Sequence, residues 1–205
     1  MYRLLSVIFL VSVLFLPALP SAAAEPGTPE AAVERLNGAI LQALRSPAAS
    51  NFDTRVAMLH PLMVSAFDYP FMARIASGRY WKDFTPDQQG RYVRLFTDLS
   101  VATAASRFKA QPNANITITG ERDGPRETKL VETTLTLPGK TPRVISYLMR
   151  KDNNDAWRAI DIFFESRVSE LSTKRSEYTS ILGKNGIPYF LDALENKYHD
   201  YQEED

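Results

Sequence analysis

The chain contains no cysteine. Disulfides, thiolate nucleophiles, zinc–cysteine sites and iron–sulfur clusters are therefore excluded, as is a lipid attached to an N-terminal cysteine. Histidine is scarce. His60 and His199 are the two present, and neither has partners at metal-ligand spacing, so each reads as a structural or surface residue. Charge of one sign is lacking too: 24 basic and 24 acidic residues give a formal net charge of zero. No basic field is available to hold nucleic acid. No G-x-S-x-G elbow, phosphate-binding P-loop or strand-following G-x-G-x-x-G occurs. Past the N-terminus, no apolar run reaches the roughly 20 residues that a bilayer-spanning helix needs.

The N-terminus carries its own pattern. Met1-Tyr2-Arg3 leads into an apolar run from Leu4 to Leu19, followed by Ser21-Ala22-Ala23-Ala24 and Glu25. A basic start, a short apolar centre and a small-residue end describe a secretory signal peptide, with cleavage expected after Ala24. The alternative, an uncleaved anchor, is opposed by the shortness of the run and by Pro17 and Pro20 near its end. Residues 1–24 are thus assigned to export, and 25–205 to one domain, or two small closely joined ones, of an exported protein.

Within 25–205 the apolar period changes twice. Helices are expected over 28–110. Thr28-Pro29 caps a first one carrying Val33, Leu36, Ile40, Leu41 and Leu44, and Ser46-Pro47 ends it. A second covers about 53–64 and a third 69–78. Thr85-Pro86-Asp87-Gln88 starts the longest, which runs to about Lys109. Four strands joined by short turns are expected over 115–165, with Phe163 on the last. Helices return over 169–182 and 188–198, stopped between by Gly183 and Gly186, and an acidic tail follows from Tyr201. The fold class is α+β: an antiparallel meander of about four strands between N- and C-terminal helices.

Asp161, between Ile160 and Ile162 on a strand, is the carboxylate that invites a catalytic reading. The competing one is a structural hydrogen bond, because a buried carboxylate needs partners. Arg74, Arg79 and Lys82 around Tyr80-Trp81 read either as a phosphate or headgroup contact or as a solvated helix face, and Lys174-Arg175 reads the same two ways.

Phe67-Asp68-Tyr69, Met72-Ala73-Arg74, Gly78-Arg79-Tyr80-Trp81, Gln88-Gln89 and Arg91 to Phe96 resemble the MlaC, or toluene-tolerance, family. Trp157 to Ile162, Ser169, Arg175-Ser176-Glu177-Tyr178, Ile181-Leu182 and Gly186 extend the resemblance over nearly all of 25–205. Ser77 departs from the family's usual leucine, and the Glu165 to Ser169 loop is one residue longer. Leu99 to Thr103, Ser106 to Phe108 and Val168 to Leu171 are closest to the HpnM branch, which is associated with hopanoids. The resemblance implies a curved antiparallel sheet like that of nuclear transport factor proteins, wrapped by helices, and a role in ferrying lipid across the periplasm. It implies hopanoid or phospholipid as cargo rather than a cofactor. As partners it implies an inner-membrane lipid transporter and an outer-membrane complex, met only transiently, and it implies no enzymatic activity.

A carrier needs apolar walls. The sheet offers Leu135, Leu137, Ile145, Tyr147 and Phe163, and the helices offer Phe71, Ile75, Tyr80, Leu95, Phe96, Leu99, Val168, Tyr178 and Ile181. The same residues would equally build a filled core, since periodicity reports which way a side chain faces and not what it meets. Two other readings stay open: an adaptor module of a membrane transporter with no lipid cargo, and an enzyme built on Asp161.

Overall fold

The computed structural model describes residues 27–107, 111–165 and 167–203. The segment assigned to export lies outside them, as do the last residues of the acidic tail. The chain starts with α1 (Pro29–Arg45), a 3₁₀ turn (Pro47–Ser50), α2 (Phe52–Ala66), α3 (Tyr69–Ser77) and a second 3₁₀ turn (Gly78–Asp83), then α4 (Pro86–Arg107). Five antiparallel strands follow in sequential order: β1 (Asn115–Asp123), β2 (Lys129–Thr136), β3 (Arg143–Lys151), β4 (Trp157–Phe164) and β5 (Val168–Ser169). A long helix, α5 (Glu170–Glu203), closes the chain. This is the expected α+β architecture.

The helix starts follow from local chemistry. The Thr28 hydroxyl accepts from the Ala31 amide at 3.1 Å, with Pro29 in the first turn. At α4 the box closes both ways. The Thr85 amide donates to Gln88 Oε1 at 2.9 Å, and the Gln88 amide to Thr85 Oγ1 at 3.3 Å. Gly78 ends α3 at φ 58° and ψ −130°, a backbone that a side chain would strain, and an added Cβ would lie 3.0 Å from the Thr179 methyl.

Three details differ from the sequence expectations. The sheet has a fifth strand, two residues long and too short to leave a pattern. The expected stop at Gly183 does not occur. The chain stays helical to Gly186, whose φ of 79° and ψ of 176° break the helical backbone, and Pro188 restarts it. The helix also continues through Tyr201 to Glu203, because Tyr201 packs on the core and its hydroxyl reaches Thr103 Oγ1 at 3.3 Å.

A bulge in β4 positions the site. Met149 opposes Ala159 and Leu148 opposes Asp161, which leaves Ile160 as an extra residue. Beyond it the parity of the strand reverses. Ile162 opposes Tyr147 and Phe164 opposes Ile145, so these four share the inner face of the sheet. Asp161 and Phe163 are turned to the other side.

Candidate functional site: a cavity under the sheet

An apolar cavity of about 540 Å³ lies between the inner face of the sheet and the helices. From α1 come Leu36, Ile40 and Leu44, successive turns of one stripe. From α2 come Leu59 and Met63, followed by Phe67, Tyr69 and Met72. Leu135, Ile145, Tyr147, Ile162 and Phe164 form the sheet side, with Leu137 just beyond β2. The C-terminal half of α4 supplies Ser100, Thr103 and Ala104. Their small size leaves room. The two hydroxyls are satisfied within the helix, donating to the Phe96 and Leu99 carbonyls, each at 2.7 Å. The wall is therefore apolar in effect even where its residues are not.

One end differs. Arg107, Gln111, Lys140, Arg143, Glu170 and Lys174 line the cavity where α4 ends, β2 turns into β3 and α5 begins. Arg107, Lys140 and Arg143 are exposed, and Lys174 is half-buried. The residues at the opposite, inner end are buried and apolar. The cavity therefore has a closed greasy interior and a polar, mainly basic mouth.

Of the fourteen residues expected to line a pocket, Leu135, Leu137, Ile145 and Tyr147 do so. The other ten lie elsewhere, for three reasons. Leu95, Phe96, Leu99 and Tyr178 are buried in a solid part of the core, with Ile75, Tyr80 and Ile181 packed partly buried against it. Phe163 is on the outer face because of the Ile160 bulge, and Val168 is 54% exposed on β5. Phe71 lies under the Arg150 guanidinium, 3.9 Å from its ring centre, while Arg150 bridges to Asp68 at 2.6 Å. The stripes Leu36-Ile40-Leu44 and Ser100-Thr103-Ala104 were the unread signal. The first is legible in the sequence as the apolar face of a helix, and the second has too few large side chains to mark a wall.

Asp161 is tied up structurally. It is 6% exposed and accepts from the Ser169 hydroxyl at 2.6 Å, the Ile162 amide at 2.8 Å and the Leu171 amide at 3.0 Å. It thus anchors the start of α5, where helix amides favour an anion. Burial raises its pKa above the usual carboxylate range, and these hydrogen bonds oppose the rise. It does not line the cavity. His60 sits 3.5 Å from Asp98 and His199 3.1 Å from Gln202, both at the surface. No group of metal-binding side chains occurs among the described residues. No described helix is long and apolar enough to cross a membrane.

The comparisons agree with this geometry. The family model described as MlaC protein matches residues 34–196. The chain belongs to the MlaC family. That is a family of non-enzymatic periplasmic lipid-binding carriers. A solved structure of a phospholipid-binding protein from Ralstonia solanacearum, in complex with a phospholipid, is similar with a TM-score of 0.75 at 20% identity, covering 84% of this chain and 98% of that one. At that identity the likeness is one of fold. No curated protein sequence matches significantly.

Proposed function

We propose that this MlaC-family chain is a periplasmic carrier that shuttles a hydrophobic lipid, hopanoid or phospholipid, between inner-membrane and outer-membrane transport components. The observation that carries the reading is the cavity of about 540 Å³, within the usual range of roughly 300–1,000 Å³ for small-molecule sites. Leaving such a volume as a void would be expensive. At about 24 cal/mol per Å³ it would cost on the order of 13 kcal/mol, as much as the whole stability of an ordinary domain. Water entering at the mouth lowers that figure, but a filled core would still be the more stable design. The hollow is best explained by what it holds.

The energetics suit a carrier. A lipid with about 30 methylenes loses roughly 0.8 kcal/mol per methylene on entering water, about 24 kcal/mol in all. A pocket of aliphatic quality cancels most of that, so exchange with a bilayer becomes nearly neutral and reversible. Assignment of residues 1–24 as a cleaved signal peptide, and the two membrane complexes as partners, belong to the same proposal. The solved phospholipid complex of similar fold favours phospholipid, and the resemblance to the HpnM branch favours hopanoid.

The cavity also weighs against an adaptor without cargo, for which a solid core would suffice. The test is gentle purification from the periplasm followed by solvent extraction and mass spectrometry. About one lipid per chain is expected. A protein that comes out empty and takes nothing from vesicles would contradict the proposal.

A further inference from the structure

The basic mouth is not an ordinary solvated surface. Several of the chain's other cations are neutralised in pairs: Arg91 with Asp192 and Glu195, Lys129 with Asp123, Arg150 with Asp68, and Arg158 with Asp152, at 2.6 to 2.9 Å. What sets the mouth apart is not the lack of a carboxylate partner, which cations such as Lys82 and Lys184 share, but the clustering of its cations at an apolar cavity. None of Arg107, Lys140, Arg143 and Lys174 has an ion pair or a side-chain hydrogen bond with a described residue. Glu170 is the single acid among the residues lining the cavity. In a chain whose net charge is zero, four cations without an ion pair to a described residue are gathered at one end of an apolar chamber.

Two of the four are held in place by rings instead of carboxylates. The Arg107 guanidinium lies 5.5 Å from the centre of Phe164, a residue of the cavity wall. The Lys174 ammonium lies 5.8 Å from the ring of Phe96 and 5.7 Å from that of Tyr178. Cation–ring contacts fix a position without neutralising the charge. Lys174 is also partly desolvated. Burial lowers its pKa from the usual lysine range, with Lys197 and Arg107 adding repulsion and Glu170 and Glu177 opposing it. Such a group is stabilised by an arriving anion more than a fully hydrated lysine would be.

Resting on the lipid-carrier reading, we propose that the mouth selects the headgroup: Arg107, Lys140, Arg143 and Lys174 receive the oxyanion, phosphate or carboxylate, of an amphiphile whose tail fills the cavity. A bare anion of the same chemistry lacks the tail, so its binding is weak. A zwitterionic head such as phosphocholine offers the same phosphate but sets a quaternary ammonium against the four cations, so it leaves their net charge unneutralised and is disfavoured. Selection at the mouth and capture in the chamber are then separable properties of one site.

The test uses internal competition, which removes any effect of vesicle surface charge. The purified protein is equilibrated with vesicles containing equal amounts of phosphatidylglycerol and phosphatidylcholine with identical dioleoyl tails, and the bound lipid is identified by mass spectrometry. The wild type should be enriched about tenfold in the anionic lipid, as expected for several partly screened charges acting together. The quadruple variant R107Q/K140Q/R143Q/K174Q should bind a similar total amount with a ratio near that of the vesicles. Glu170→Gln, which removes the one acid, should raise the preference and guards against misfolding of the quadruple variant. In a separate arm, glycerol 3-phosphate should displace no bound lipid. Wild-type uptake without headgroup preference would overturn the headgroup proposal and leave the carrier reading standing. A preference that survives in the quadruple variant would also overturn it, as would displacement of lipid by glycerol 3-phosphate. No uptake of either lipid would overturn both.

Discussion

The two halves of the interior are packed in opposite ways. On one side, the 3₁₀ turn after α3, the first half of α4 and α5 are locked by rings. Tyr92 contacts Phe84, Phe96, Tyr178 and Phe190 with centroids 5.2 to 6.3 Å apart, and Trp81 closes the end against Phe84. On the other side, α1, α2 and the inner face of the sheet meet across open space, lined by aliphatic side chains, small residues and the rings of Phe67, Tyr69, Tyr147 and Phe164. Helix α4 passes through both. Its Tyr92-Leu95-Phe96 segment fills space, and its Ser100-Thr103-Ala104 segment leaves it. Rings that contact one another at fixed geometry give a rigid block. Apolar walls facing open space offer contacts that an acyl chain can complete. The rigid half holds the hollow half open.

The comparison can be broken most sharply by filling the hollow. Ile145→Trp or Leu135→Trp should abolish lipid uptake in the vesicle assay while leaving the melting temperature equal or higher, since the new ring enters existing space. Next in size, Phe190→Ala in the solid half should cost about 3–5 kcal/mol in chemical denaturation. Leu59→Ala in the cavity wall should cost near the low end for such changes, about 2 kcal/mol, because one side of the side chain already lacks partners. Equal losses at the two sites would mean that the halves are packed alike.

Smaller effects sharpen the picture. The buried Tyr92 hydroxyl has no hydrogen-bond partner among the described residues, and burial raises its pKa. Tyr92→Phe should therefore be neutral or stabilising within about 1 kcal/mol. At Asp161 the sign of the pH effect is set by its raised pKa in the folded state. The folded protein holds that proton more tightly than the unfolded chain, so the contribution is fully present below the unfolded carboxylate range, near pH 4, and is lost as pH rises through the folded value. The stability of wild type relative to Asp161→Asn should fall over that interval by denaturant titration. A rise would show that the hydrogen bonds from Ser169, Ile162 and Leu171 outweigh burial.

The sequence carried the fold well where the signals were local. Thr28-Pro29 and the Thr85-Gln88 box announced helix starts through hydrogen bonds made within four residues. The four longer strands were announced by their period and turns. The cavity was hidden because an inward-facing residue in a filled core and one in a hollow share the same period. Phe96 and Tyr178 face inward into rings, whereas Leu36 and Ile40 face inward into space, and only the tertiary arrangement separates them. Phe163 was misplaced by one extra residue, Ile160, which nothing in the strand's composition marks.

The most direct measurement of the central claim is photo-crosslinking with a phospholipid that carries a diazirine in its acyl tail, followed by peptide mapping. The hollow-half account predicts labels on α1, α2 and the β2 and β3 strands, at residues such as Leu36, Ile40, Leu59, Leu135 and Ile145. Labels concentrated on the 78–83 turn and the 178–194 stretch of α5 would contradict it.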